Sequence, residues 1–172
     1  MKPNRKINVR LEKNLGLPTV SIKFQEKDRT VFPLLIDTGI RHNLFDPCFF
    51  EEWIDYTPSP AMPRPENYNP LSLLYYPEPP PPAHKKLGAK RIMCKDGVRR
   101  SCEMIKLNFF IEERKHSELF AIDPSMCRYF QFKKRKVIVG VLGIDFLRKH
   151  KWILDYSEMK TNSTILKTFN YD

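Results

Sequence analysis

No run of apolar residues in this 172-residue chain approaches the roughly 18 that a membrane helix needs, so no membrane span and no membrane partner are expected. The basic N-terminal stretch MKPNRKINVRLEKN lacks an apolar segment behind it, which argues against a signal peptide and for a cytoplasmic protein. No C-x-x-C pair occurs. The four cysteines, Cys48, Cys94, Cys102 and Cys127, have the wrong spacing for zinc and no histidine pair beside them. Metal ligands and cofactors are therefore not expected, and reduced thiols are. Cys94 and Cys102 are spaced to face each other across a hairpin, which leaves a disulfide open without requiring one. No nucleic-acid-binding motif is present.

What is present begins with charge. The net charge is +10, with basic clusters at Lys85-Lys86, Arg99-Arg100, Lys133-Lys134-Arg135-Lys136 and Arg148-Lys149-His150-Lys151. Without an accompanying motif, solvated loops and strand ends explain these better than a nucleic-acid surface. A basic rim that steers an acidic substrate is a further reading. Hydrophobic residues make up 41% and aromatics 12%, so the chain is globular and long enough for one domain with a real core.

The pattern is one of short strands. Residues 1–17 read as a basic arm with a strand around Ile7 to Leu11. Thr19 to Phe24 alternates apolar and polar residues, and Val31 to Ile36 follows as its hairpin partner. Pro33 within that second run suggests an edge strand or a bulge. His42 to Phe45 is a short strand, and Asp46-Pro47 opens a short helix through Phe49, Phe50, Trp53 and Ile54, with Asp46 as the cap. Residues 57–82 hold ten of the fifteen prolines and read as a surface insertion, partly polyproline II and partly packed through Tyr68, Leu73, Leu74, Tyr75 and Tyr76. The strand pattern resumes from Arg91, with Lys95-Asp96-Gly97 as a hairpin turn. Met104 to Ile111 alternates, a charged turn covers Glu112 to Ser117, and Leu119 to Ile122 is the next strand. Val137 to Leu142 reads as a buried strand, Asp145 as capping or opening a helix over Phe146 to His150, and Trp152–Asp155 and Thr164–Phe169 as the closing strands. Asp155 is expected to pair with a basic neighbour. Many strands and two short helices predict an all-β, barrel-like domain.

Leu34-Leu35-Ile36-Asp37-Thr38-Gly39 carries the most information. An apolar strand ends there in a carboxylate, at a point where glycine lets the backbone turn. Apolar walls around one acid favour a perturbed, functional carboxyl group. A second apolar-apolar-glycine segment, Val137 to Gly143, lies far downstream.

That combination resembles the retropepsin-like aspartic proteases. LLIDTG at 34–39, a flap around Cys94-Lys95-Asp96-Gly97, and VIVGVLGIDFL at 137–147 follow the family's order, and Lys151 to Tyr156 is similar to the final strand of bacterial members. The match spans roughly 18–157, with the Pro-rich segment as an insertion and 158–172 as a C-terminal strand. The resemblance implies a closed-barrel acid protease fold and hydrolysis of a peptide or protein substrate. Two carboxylates share a proton in that chemistry: the ionised one activates water and the neutral one hydrogen-bonds the substrate carbonyl. This chain has a single Asp-Thr-Gly, so the resemblance implies a two-fold homodimer in which each subunit supplies Asp37. Thr38, Gly39, Leu142 and Gly143 are then catalytic-loop support. Ile40, Arg41, Cys94, Lys95, Asp96 and Gly97 are cleft and flap positions facing substrate, and the C-terminal strands are the candidate dimer seam.

Three departures stand out. Ile40 replaces the small residue that usually follows the glycine. Arg41 and Ile144 stand where many retroviral members place a stabilising Asp–Arg pair. The flap has one glycine, Gly97. Two other functions compete with an active protease. One is a retropepsin-like dimerisation or peptide-binding module without turnover, favoured by Ile40. The other is a basic nucleic-acid-associated protein, favoured by charge alone.

Overall fold

A computed structural model of the chain describes residues 5–12, 16–27, 30–56, 82–126, 138–155 and 165–170. Cys127, the Lys133–Lys136 cluster, Val137 and nearly all of the Pro-rich segment lie outside the described residues, as does the side chain of Asp155.

The described chain is all-β, with two short helices. Its strands are β1 (Arg5–Glu12), β2 (Leu17–Lys23), β3 (Phe32–Ile36), β4 (Asn43–Phe45), β5 (His84–Met93), β6 (Arg99–Ile111), β7 (Arg114–Ile122), β8 (Gly140–Leu142), β9 (Trp152–Asp155) and β10 (Ile165–Asn170). Helix α1 (Pro47–Phe49) runs into a π-helical turn, Phe50–Ile54, and α2 covers Ile144–Lys149. Strands β6, β7, β4, β8, β3 and β2 follow one another around a ring. The ring closes where β2 meets β6, with Ile22 opposite Ile111 and Lys23 opposite Phe110. The result is a closed six-stranded barrel. Strand β5 extends it from β6, and β1, β10 and β9 extend it from β2.

The apolar run at 34–36 has a structural cause. Leu34 and Ile36 face the main barrel core with Phe45, Phe109 and Phe120. Leu35 faces a second core with Leu44, Val141, Met104 and the two thiols Cys94 and Cys102. A strand buried on both faces has no polar side to alternate with. The same holds for β8, where Val141 enters one core and Leu142 the other. Helix α1 starts as the sequence indicates: Asp46 Oδ1 accepts from the Phe49 amide at 3.1 Å, with Pro47 in the first turn.

Five expectations need correction. Pro33 is in an interior strand, since β3 lies between β2 and β8. It is tolerated because it precedes the parallel ladder, which begins at Leu34 and Gly140, and its carbonyl still accepts from the Val139 amide at 3.1 Å. Strand β8 is shorter than the apolar run suggests, covering Gly140–Leu142. Strand β5 starts at His84 rather than Arg91, because its Lys85–Arg91 stretch is exposed and shows no alternation; Gly88 sits at φ +83° beside the register shift between Lys86 and Ala89. Strand β7 starts at Arg114 rather than Leu119. Its turn is tight, with Glu112 at φ 53°, and the inward positions near its start are His116 and Glu118, which look like loop residues in sequence. Burial, with His150 next in importance, pushes the His116 imidazole down to about 4. Finally, Asp145 does not cap α2; Gly143 occupies the cap without a side-chain bond, and Asp145 lies in the first turn.

Among the described residues no helix is long and apolar enough to cross a membrane.

Gly140 is closely packed in the barrel wall. A Cβ there would meet the Leu44 carbonyl at 2.5 Å and the Leu34 and Phe45 side chains at 2.9 Å. Gly140→Ala is therefore expected to lower stability by roughly 1–3 kcal/mol in urea unfolding, as overpacking does.

Candidate active site

Asp37 follows the last residue of β3, and its amide donates to the Leu142 carbonyl at 3.1 Å. The chain then turns, with the Ile40 amide donating to the Asp37 carbonyl at 3.3 Å and the Gly39 amide donating to Asp37 Oδ1 at 2.8 Å. A Cβ on Gly39 would come within 3.1 Å of that carboxylate oxygen, so glycine keeps the amide and the acid close without crowding.

The second loop is stitched to the first. The Ile144 amide donates to the Ile40 carbonyl at 2.8 Å and the Asp145 amide to the Arg41 carbonyl at 3.1 Å. Gly143 packs so closely that a Cβ would lie 2.6 Å from the carbonyl oxygens of both Arg41 and His42. Its amide donates to Asn43 Oδ1 at 3.0 Å, while Asn43 Nδ2 donates to the Leu119 carbonyl at 3.0 Å. Asn43 is 6% exposed and links β7, the Asp37 loop and the Gly143 loop.

Ile144 offers Arg41 no charged partner, but an ion pair one position further on joins the two loops. Arg41 Nε donates to Asp145 Oδ2 at 3.3 Å, joining the same two loops. His42 Nδ1 is 3.5 Å from the same oxygen, and burial holds its imidazole below the ordinary value against the opposing pull of Asp145. Arg41 is largely solvated, so this pair contributes at most about 1 kcal/mol.

Above the loops stands the hairpin of β5 and β6. Its turn is closed by the Gly97 amide donating to the Cys94 carbonyl and the Cys94 amide to the Val98 carbonyl, both at 3.0 Å, with Gly97 at φ +80°. Asp96 is committed to Arg100, which donates to both its oxygens at 2.6 and 2.7 Å and holds its carboxyl below the usual range. Cys94 and Cys102 are free thiols with their sulfurs 3.5 Å apart. Burial, and then Cys94, push the Cys102 thiol up to about 12, so it packs as an apolar group.

Lys95 is the residue that joins hairpin to acid. Its Nζ donates to Asp37 Oδ2 in an ion pair whose side chains are 10% and 16% exposed. Its amide donates to Asp123 Oδ2 at 2.6 Å. Thus the structure brings Asp37, Gly39, Leu142, Gly143 and Lys95 together, places Cys94 and Gly97 as hairpin framework, and turns Asp96 to Arg100. Ile40 packs against the second core. Thr38 lines an open, mostly apolar groove of about 450 Å³ with Ile144, Leu147, Trp152, Ile153 and Leu154.

Two contributors are absent from the sequence argument. Asp123 is fully buried, and besides Lys95 it accepts from the Ser125 amide and hydroxyl at 2.9 and 2.8 Å. Its signal is the Asp-Pro-Ser order, which favours an Asp side chain bonded to backbone two residues on. Asn43 has a weaker signal, a lone amide in an apolar strand.

No protein-family model matches the chain, and no curated protein matches it. The crystal structure of basic 7S globulin from soybean aligns with 97% of this chain and 50% of its own, at a TM-score of 0.49 and 12% identity. The chain thus spans half the length of that protein.

Asp123→Ala would strand three donors beneath the hairpin tip. It is expected to cost roughly 2–4 kcal/mol and to speed amide hydrogen exchange at Lys95 more than at the barrel strands.

Proposed function

We propose that this chain is an aspartic endopeptidase of retropepsin type, acting as a homodimer in which each subunit contributes Asp37. The observation that carries this reading is the stitched pair of loops, Asp37–Gly39 and Leu142–Gly143, lying under a hairpin whose tip reaches the Asp37 carboxylate. Such a site holds an acid rigidly at the end of a buried strand, offers a backbone amide to one of its oxygens, and has a cover that can exclude water.

Peptide hydrolysis then needs a second carboxylate beside the first. An ionised Asp37 takes a proton from water, while the neutral Asp37 of the partner hydrogen-bonds the scissile carbonyl. Two carboxylates in contact titrate as a pair, which keeps one proton between them. The apolar groove beside Thr38, with Ile153 47% exposed, suits the face that a second copy would cover. The free, buried thiols suit a reducing cytoplasm.

Lys95 defines what the active form must change. The Lys95 ammonium occupies Asp37 Oδ2, the side of the carboxylate that water and a second acid would need. The contact therefore belongs to a closed, resting flap, and Lys95 leaves Asp37 when substrate and the second carboxylate enter. A second reading rests on the same contact: a peptide-binding module whose single acid is permanently neutralised by Lys95.

Peptide-library cleavage between about pH 3.5 and 7, with oligomeric state measured in parallel, separates these readings. The wild type is expected to cleave as a dimer. Asp37→Asn, nearly isosteric, is expected to lose cleavage while remaining folded. Lys95→Met is expected to raise turnover, by roughly 10-fold if opening the flap costs about 1.4 kcal/mol. A folded dimer with no cleavage in wild type or Lys95→Met would establish the binding module instead.

A further inference from the structure

A second cluster of chemically able side chains lies away from Asp37, where β7 meets the end of α2. His116 and Glu118 are two residues apart on β7 and share its inward face, at 3% and 7% exposure. His150 stands at the C-cap of α2. One nitrogen of each imidazole and one Glu118 oxygen lie within 4.8 Å of one another. His150 Nε2 is 2.8 Å from Glu118 Oε1. His116 Nδ1 is buried without a hydrogen-bond partner.

We infer that His116, Glu118 and His150 form a binding site for a zinc-like divalent transition-metal ion. The donor set is two imidazole nitrogens and one carboxylate, which suits zinc, cobalt or nickel and not the all-oxygen preference of magnesium or calcium. The ligands are held in place by rings: Phe109 stacks on His116 at 5.4 Å between centroids, and Phe146 lies 4.5 Å from the His150 ring. Locked imidazoles are what a metal site requires of its surroundings. His116 keeps one buried imidazole nitrogen unpaired, a cost to the fold that ligation through that nitrogen would remove. Sequence reasoning misses this site because His150 is far from β7 along the chain.

The competitor is Lys149. Its Nζ donates to both Glu118 oxygens at 2.8 and 2.9 Å, so Glu118 already has a cation. Lys149 is 57% exposed, however, and swings into solvent without disturbing the core. A divalent ion then replaces the ammonium charge, engages His116, which the ammonium does not satisfy, and takes water as a fourth ligand. The bound ion ties β7 to the end of α2, whose first turn is bonded to Ile40 and Arg41. The site thus braces the loop behind Asp37, and its existence does not depend on protease activity.

The test uses the full chain stripped with a chelator, titrated with Zn2+ by calorimetry and with Co2+ by visible absorption, with melting curves alongside. One ion per chain, a rise in Tm and the absorption of four-coordinate cobalt are expected. His116→Gln and Glu118→Gln are expected to bind at least about 10-fold more weakly. Lys149→Ala, a surface change that leaves the three ligands intact, is expected to bind more tightly. If the ligand variants do not fold, Lys149→Ala decides alone. No uptake by the wild type, affinity unchanged in the folded ligand variants, or unchanged or weaker binding by Lys149→Ala would overturn the assignment and leave a buried ion-pair cluster.

Discussion

Strand β8 is three residues long, yet the rest of the molecule depends on where it is threaded. It lies between β3 and β4, parallel to the first and antiparallel to the second. Without it the barrel is open and Asp37 has no backing. Its insertion is possible because Gly140 lets the Leu44 carbonyl approach and Gly143 lets the chain pass against Arg41 and His42. A side chain at Gly140 would press β8 off its neighbouring strands, and one at Gly143 would force the two loops apart. The position of Asp37 is thus set by backbone contacts, and side chains add detail: Asn43 bridges the loops from within, and Arg41 with Asp145 from outside.

Electrostatics then determine the state of the site. In one chain the Asp37 carboxylate meets the Lys95 ammonium in a confined setting, where a pair interacts far more strongly than it does at the surface. The same hairpin is also held by Asp123, which accepts from the Lys95 amide. Two acids therefore hold one lysine, one through its side chain and one through its backbone. On the proposed reading this is a latch: opening the flap breaks both contacts, and substrate binding must compensate for them. It also leaves the half-buried Asp37 carboxylate with a cation beside it.

Much of this was legible from residue order. The alternation at Thr19–Phe24, the Asp46-Pro47 helix start and the Asp96-Gly97 turn are local signals, and local chemistry decided them. The apolar run into Asp37 was legible because burial on both faces leaves a mark in composition. What escaped was long-range or inverted. Lys95 looks like any turn lysine until folding brings it to Asp37, 58 positions away. Strand β7 hid its start because His116 and Glu118 point inward where apolar residues are expected. Asp145 has the look of a cap but is drawn off by Arg41 and His42. In each case a tertiary partner outweighed the local preference.

The central claim is that catalysis needs Asp37 from two chains. The direct measurement mixes wild-type protein with Asp37→Asn at constant total concentration, allows subunits to exchange, and follows cleavage of a selected peptide. If both carboxylates are required, activity falls with the square of the wild-type fraction, to about one quarter at an equal mixture. A fall to about one half, in direct proportion to wild-type chains, would mean that a single Asp37 suffices and would contradict the account.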